Sequence, residues 1–238
     1  SLDIVEFKET DRAILSCPYR ATYQFKIDNW NNSSEDVCEA SFRIPIPPNT
    51  LEQHIDSLIW ISRPDEKNID LYGQPLAYIN RIIDPGDYFL LAYTADVTIW
   101  AVQYKIKEKP LASLKSIPAE ITKNYLINDT YYSMDAEDIR QTAALVRYHE
   151  DGREVLGVKA LIENIVLYIL RLMEYENDHN WENAEAVLNN KLASCSEYSF
   201  LFSALCRLNG LPTRLVGGFI ADGEESNVHR WTEVYYPD

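Results

Sequence analysis

Ser194-Cys195-Ser196-Glu197-Tyr198-Ser199-Phe200-Leu201-Phe202-Ser203-Ala204-Leu205-Cys206-Arg207-Leu208-Asn209-Gly210-Leu211-Pro212 reads as one helix with a marked start and a marked stop. Ser194 with Glu197 three residues on is a capping box, so Ser194 is the N-cap and Cys195 the first helical residue. Tyr198, Leu201, Phe202, Leu205 and Leu208 recur at helical spacing and predict a buried stripe. Gly210 and then Pro212 end the helix. A helix N-terminus has unpaired N–H groups and a positive dipole end. A thiolate there is stabilised and becomes a usable nucleophile near neutral pH. Cys206, among apolar neighbours inside the helix, reads as a small buried hydrophobe.

Downstream, Thr213 to Ile220 predicts a strand containing the pair Gly217-Gly218, a sign of a bulge or a close approach. Ala221 to Asn227 is polar and predicts a loop. Val228 to Tyr236 predicts a second strand, and the two form a hairpin expected to pack on the Cys195 helix. With a period of two, His229, Trp231, Glu233 and Tyr235 share one face, and Val228, Arg230, Thr232, Val234 and Tyr236 the other. His229 is the candidate general base for Cys195 and the donor of a proton to a leaving amine. Trp231 reads as a packing residue beside the site. Glu233 is about 6–7 Å along the strand from His229, a poor direct orienter, and is a surface carboxylate or a partner of Arg214. The Cys195 N–H is a natural oxyanion donor. Trp181 and Asn183 lie in a loop within reach, where ordinary loop packing is the favoured reading.

The run from Leu192 through Cys195 to Gly218, with its Leu-Asn-Gly-Leu-Pro-Thr-Arg-Leu-Val-Gly-Gly end, resembles the cysteine motif of transglutaminase-like proteins. His229-Arg230-Trp231-Thr232-Glu233-Val234-Tyr235 is similar to the His-x-Trp-x-Glu-(apolar)-Tyr motif of the same family. The resemblance implies a papain-like core with a triad in the chain order Cys, His, Asp, Cys195 being the nucleophile and His229 the base. Two departures stand out. Ser194 replaces the family's usual glycine before the cysteine, a conservative change at a helix cap. The family's acid follows the histidine in a Gly-Trp-x-x-x-Asp segment, and this sequence ends at Asp238, short of it. The expectation is a core cut short at its C-terminus, with the third carboxylate beyond Asp238 and Asp238 itself the weaker candidate. Without that acid the imidazole loses tautomer control, so the chain as given is expected to be inactive.

The 238 residues are 46% hydrophobic and 25% charged, as in soluble globular proteins. A net charge of −15 argues against nucleic acid and against an anionic membrane as partners. The opening residues do not read as a secretory signal, and the apolar stretch Val155–Leu172 is interrupted by charges, so a cytoplasmic location is expected. Four cysteines and four histidines without metal-ligand spacing call for no metal, and no cofactor motif is present. Oligomeric state is not legible.

The first hundred residues predict strands at Tyr19–Ile27, Val37–Ile46 and Leu58–Ile61. Phe89–Ile106 predicts two further strands, and turns fall at Asp70–Pro75 and Pro85-Gly86. This suggests a β-sandwich, and the arrangement resembles the β-domain that precedes the core in many bacterial transglutaminase-like proteins. Residues 107–118 read as a linker. Asp135 is expected to cap a helix over Ala136–Tyr148, a long amphipathic helix follows around Val158–Leu172, and a short one around Ala184–Asn189. The expected organisation is therefore α+β: a β-sandwich over 1–106, the linker, and a papain-like transglutaminase core over 119–238.

The expected activity is cysteine-dependent hydrolysis of an amide or peptide bond through a thioester, on a peptide or protein substrate. The alternatives are a protein-glutamine acyltransferase, in which an amine resolves the thioester, and a non-catalytic binding scaffold on the same fold.

Overall fold

The computed structural model describes residues 4–8, 12–104, 106–176, 181–222 and 225–237. The chain divides into two compact units, Ser1–Lys105 and Ile106–Asp238. It is a mixed α/β protein. Among the described residues no helix is long and apolar enough to cross a membrane.

The first unit holds seven strands: β1 (Ile4–Lys8), β2 (Arg12–Trp30), β3 (Cys38–Pro45), β4 (Gln53–Trp60), β5 (Glu66–Ile69), β6 (Pro75–Ile83) and β7 (Tyr88–Tyr104). They form two antiparallel sheets, ordered β1-β2-β7-β4 and β3-β6-β5. Leu91, Tyr93, Ala95 and Val97 alternate along β7 and share a core with Ile44 of β3 and Ala77 and Ile79 of β6. That is the period-two burial of a half-buried strand. The two strands expected within Phe89–Ile106 are a single one, β7, which pairs with β2 on one side and β4 on the other. Pairing on both edges carries the ladder through the polar residues Thr94, Asp96 and Thr98.

The second unit begins with a 3-10 helix (Leu111–Ser116) whose Leu111 and Leu114 pack on that unit's core, in the stretch whose composition reads as a linker. It continues with α1 (Ala119–Tyr125), α2 (Glu137–Leu145), α3 (Val158–Leu172), β8 (Glu174–Tyr175), α4 (Ala184–Asn190), β9 (Leu192–Ala193), α5 (Cys195–Leu208), β10 (Thr213–Asp222) and β11 (Glu225–Val234). Strands β8 and β9 make a short parallel pair, and β10 and β11 an antiparallel hairpin without a register shift.

Helix α5 is the centre of this unit. Phe200, Leu201, Ala204, Leu205 and Cys206 are buried with Ile139 and Ala143 of α2, Leu161 and Ile165 of α3, and Val187 of α4. A helix buried on most of its circumference belongs to the interior. Its end follows the sequence reading: Gly210 takes φ +79°, and its N–H donates to the Arg207 carbonyl at 3.0 Å. Two local expectations are corrected. Asp135 does not cap α2, whose N-cap is Ala136; the carboxylate instead pairs with Arg140 at 3.1 Å and accepts from Asn128. The loop expected over 221–227 is shorter, because the hairpin ladder continues to Asp222 and resumes at Glu225.

Candidate active site

Cys195 is the first residue of α5 and its thiol is partly exposed. The turn beneath it is tightly held. Glu197, only 2% exposed, accepts the Ser194 N–H at 2.7 Å and also the Ser194 hydroxyl, and the Glu182 N–H reaches its other oxygen at 3.3 Å. A buried carboxylate with several donors is a fixed part of its surroundings. The Ser199 hydroxyl donates back to the Cys195 carbonyl at 2.8 Å. The Cys195 N–H is at a position where an α-helix provides no intrahelical acceptor, the kind of donor an oxyanion can use. In the last turn of the same helix, burial pushes the Cys206 thiol well above its ordinary range. A neutral buried thiol is inert, which agrees with the structural reading of Cys206.

The hairpin meets α5 along a stripe of small side chains. The Thr232 hydroxyl lies 3.2 Å from that of Ser203 and donates to the Ser199 carbonyl at 3.3 Å. One Arg230 guanidinium nitrogen donates to the Ser196 hydroxyl at 3.1 Å. Leu215 and Val234 join the core from the same face. This serine stripe and Arg230 were not singled out in the sequence as site residues. Ser196, Ser199 and Ser203 recur at helical spacing, a signal masked by the apolar stripe beside them.

The alternation of β11 fixes where His229 goes. Arg230 and Thr232 face α5, so His229, Trp231 and Glu233 occupy the other face of the hairpin. There the His229 and Trp231 rings lie near-parallel with centroids 6.4 Å apart. Trp231 lies over Gly218, where an added Cβ would stand 2.7 Å from the indole. The glycine pair reads in the sequence as a bulge or a close approach by another backbone or a ligand; the ladder is unbroken there, and what lies over Gly218 is the Trp231 side chain of the same hairpin. Glu233 pairs with Arg214 at 2.6 Å, the surface role considered for it. Among the described residues no hydrogen bond joins the Cys195 thiol to His229, and no carboxylate accepts from the His229 ring. Asp238, the weaker candidate for the acid, lies outside the described residues.

The upstream loop is accounted for. Asn183 caps α4, its side chain accepting the Ala186 N–H at 2.9 Å. Trp181 packs edge-on against Phe200 and Tyr131 and carries the Arg230 guanidinium over its ring at 4.3 Å. A cleft of about 270 Å³ lined by Ile121, Tyr125, Arg214 and Glu233 contains neither Cys195 nor His229.

The second unit thus places a cysteine at the start of a buried helix and a histidine on the antiparallel hairpin that follows it. Residues 152–238 match the family model described as the Transglutaminase-like superfamily. The chain is similar in fold to one from Cytophaga hutchinsonii described as a "Putative Cysteine Protease", with 16% identity and a TM-score of 0.65, over 92% of this chain and 75% of that one. It also aligns with the periplasmic domain of TgpA from Pseudomonas aeruginosa, with 13% identity and a TM-score of 0.41, over 88% of this chain and 68% of that one. A comparison with curated proteins finds no match.

Proposed function

We propose that this protein is a cysteine-dependent hydrolase of amide or peptide bonds, built on a papain-like core that follows a β-sandwich. The observation that carries the reading is Cys195: a partly exposed thiol on the first residue of a buried, capped helix within a transglutaminase-like segment. The Cys195 thiolate attacks the substrate carbonyl carbon, and the developing oxyanion is held by the Cys195 N–H. The His229 imidazolium protonates the leaving amine as the C–N bond breaks, leaving a thioester. Water, deprotonated by His229, attacks the thioester carbon. The C–S bond then breaks, releasing the carboxylic acid and restoring the thiolate.

This chemistry requires His229 on the α5 side of β11. The ladder here is unshifted and turns His229 outward; a β-bulge at His229-Arg230 would set two residues of this strand against one of its partner and re-aim the ring, a device common beside active sites. Gly218 and Gly217 are the register partners of His229 and Arg230, and glycines tolerate such a rearrangement.

The test is the pH dependence of Cys195 alkylation, located by peptide mapping, in the protein and in His229→Ala. The expected result is a reactive pKa well below the free-thiol value of about 8.5 that rises when His229 is removed. An ordinary thiol indifferent to His229 overturns the enzyme reading and leaves a binding scaffold on this fold.

A further inference from the structure

We propose that Arg230 is a specificity-determining residue that receives a carboxylate carried by the substrate beside the amide attacked by Cys195. The proposal rests on the reading of Cys195 as nucleophile. Arg230 donates one N–H to the hydroxyl of Ser196, the residue next to Cys195, and its guanidinium lies 4.3 Å above the Trp181 ring. Trp181 is itself set by Phe200 and Tyr131. Stacking on an indole fixes the plane of a guanidinium while leaving its edge open for two parallel hydrogen bonds to a carboxylate.

Five of the other six arginines of this unit are used differently. Arg140, Arg153, Arg171 and Arg214 each pair with a carboxylate. Arg207 is buried, donating to Thr213 and to the Ile127 carbonyl with Tyr132 against its face. Among the described residues Arg230 has no carboxylate partner, in a chain with a net charge of −15. Such a chain repels anions at long range, so an anionic substrate needs a local cation to be held at the thiol. Arg230 is bonded to the residue that follows the nucleophile, where it can select a carboxylate adjacent to the scissile bond. The carboxylate is either the C-terminus of a peptide or an acidic side chain.

Cys195 is itself the probe. Its alkylation rates with iodoacetate, which carries a carboxylate, and with neutral iodoacetamide are measured in the full chain and in Arg230→Gln, Arg230→Lys and His229→Ala. Arg230→Gln is expected to lower the iodoacetate-to-iodoacetamide ratio about tenfold, the scale of a charge-assisted hydrogen bond. The iodoacetamide rate itself is expected to change little. Arg230→Lys should keep part of the preference, and His229→Ala should slow both reagents together. Protection against iodoacetamide by N-acetylglycine, compared with the α-amide of N-acetylaspartate, then separates a terminal from a side-chain carboxylate. A ratio unchanged in Arg230→Gln overturns the proposal while leaving the nucleophile standing. Slow labelling by both reagents overturns the nucleophile reading, and the ratio still reports on Arg230.

Discussion

The start of α5 and the far half of β11 carry the two candidate catalytic residues and are held very differently. Around Cys195, Glu197 ties the cap together from a buried position, and the helix behind it is packed by α2, α3 and α4. Around His229, the hairpin runs past the start of α5: Val228 is 62% exposed and Trp231 41%. Among the described residues its packing there includes the Trp231 indole over Gly218 and the Arg230 guanidinium against Trp181 and the Ser196 hydroxyl. The nucleophile is fixed by the core, whereas the base lies midway along β11 on the face turned away from α5. Segments with little burial open at low free-energy cost, so any adjustment that assembles the site belongs to β11.

Four substitutions test that contrast. The largest effect is expected from Cys195→Ala, which should lower turnover of any amide substrate by at least about 10⁴-fold and leave thermal stability nearly unchanged, because the thiol supports no packing. Residual turnover in this variant would place the chemistry elsewhere.

Next is Glu197→Ala. It strands the buried donors of Ser194 and removes the acceptor of the Glu182 N–H, and urea unfolding should show a loss of about 3 kcal/mol. A loss below about 1 kcal/mol would mean that the α5 cap is no better held than the hairpin. Gly218→Ala pushes on the Trp231 ring. It should cost about 1–2 kcal/mol and red-shift tryptophan emission as the indole is displaced. An unchanged spectrum would deny the close approach.

The smallest effect is expected from Glu233→Gln. It removes an exposed ion pair with Arg214 and should change stability by at most about 0.5 kcal/mol, less still at high salt. A larger effect would mean that this outer face anchors the hairpin after all.

Much of the second unit was legible because its signals are local. The cap residues, the 3.6-residue stripe and the glycine stop set both ends of α5, and the apolar period of Val158, Leu161, Ile165 and Ile169 set α3. The Arg214–Glu233 pair is one of the two roles left open for Glu233 in the sequence. Failures came where a local signal had a competitor. Asp135 reads as a cap, but Arg140 and Asn128 take its carboxylate. The polar stretch after Ile220 reads as loop, yet backbone pairing extends the ladder into it, because main-chain hydrogen bonds do not depend on side-chain polarity. In the first unit, polar residues within Phe89–Ile106 suggested a break that pairing on both edges of β7 removes.

The sequence by itself determined that Cys195 opens a helix, that His229 lies on a strand, and that His229 and Arg230 occupy opposite faces of a regular one. Only the tertiary structure decided which face turns inward. Both faces mix polar and apolar residues, so hydropathy does not choose between them. The choice is made by fit: Thr232 and Arg230 have hydroxyl partners on the serine stripe of α5, and the bulk of Trp231 finds room only over Gly218 on the outside.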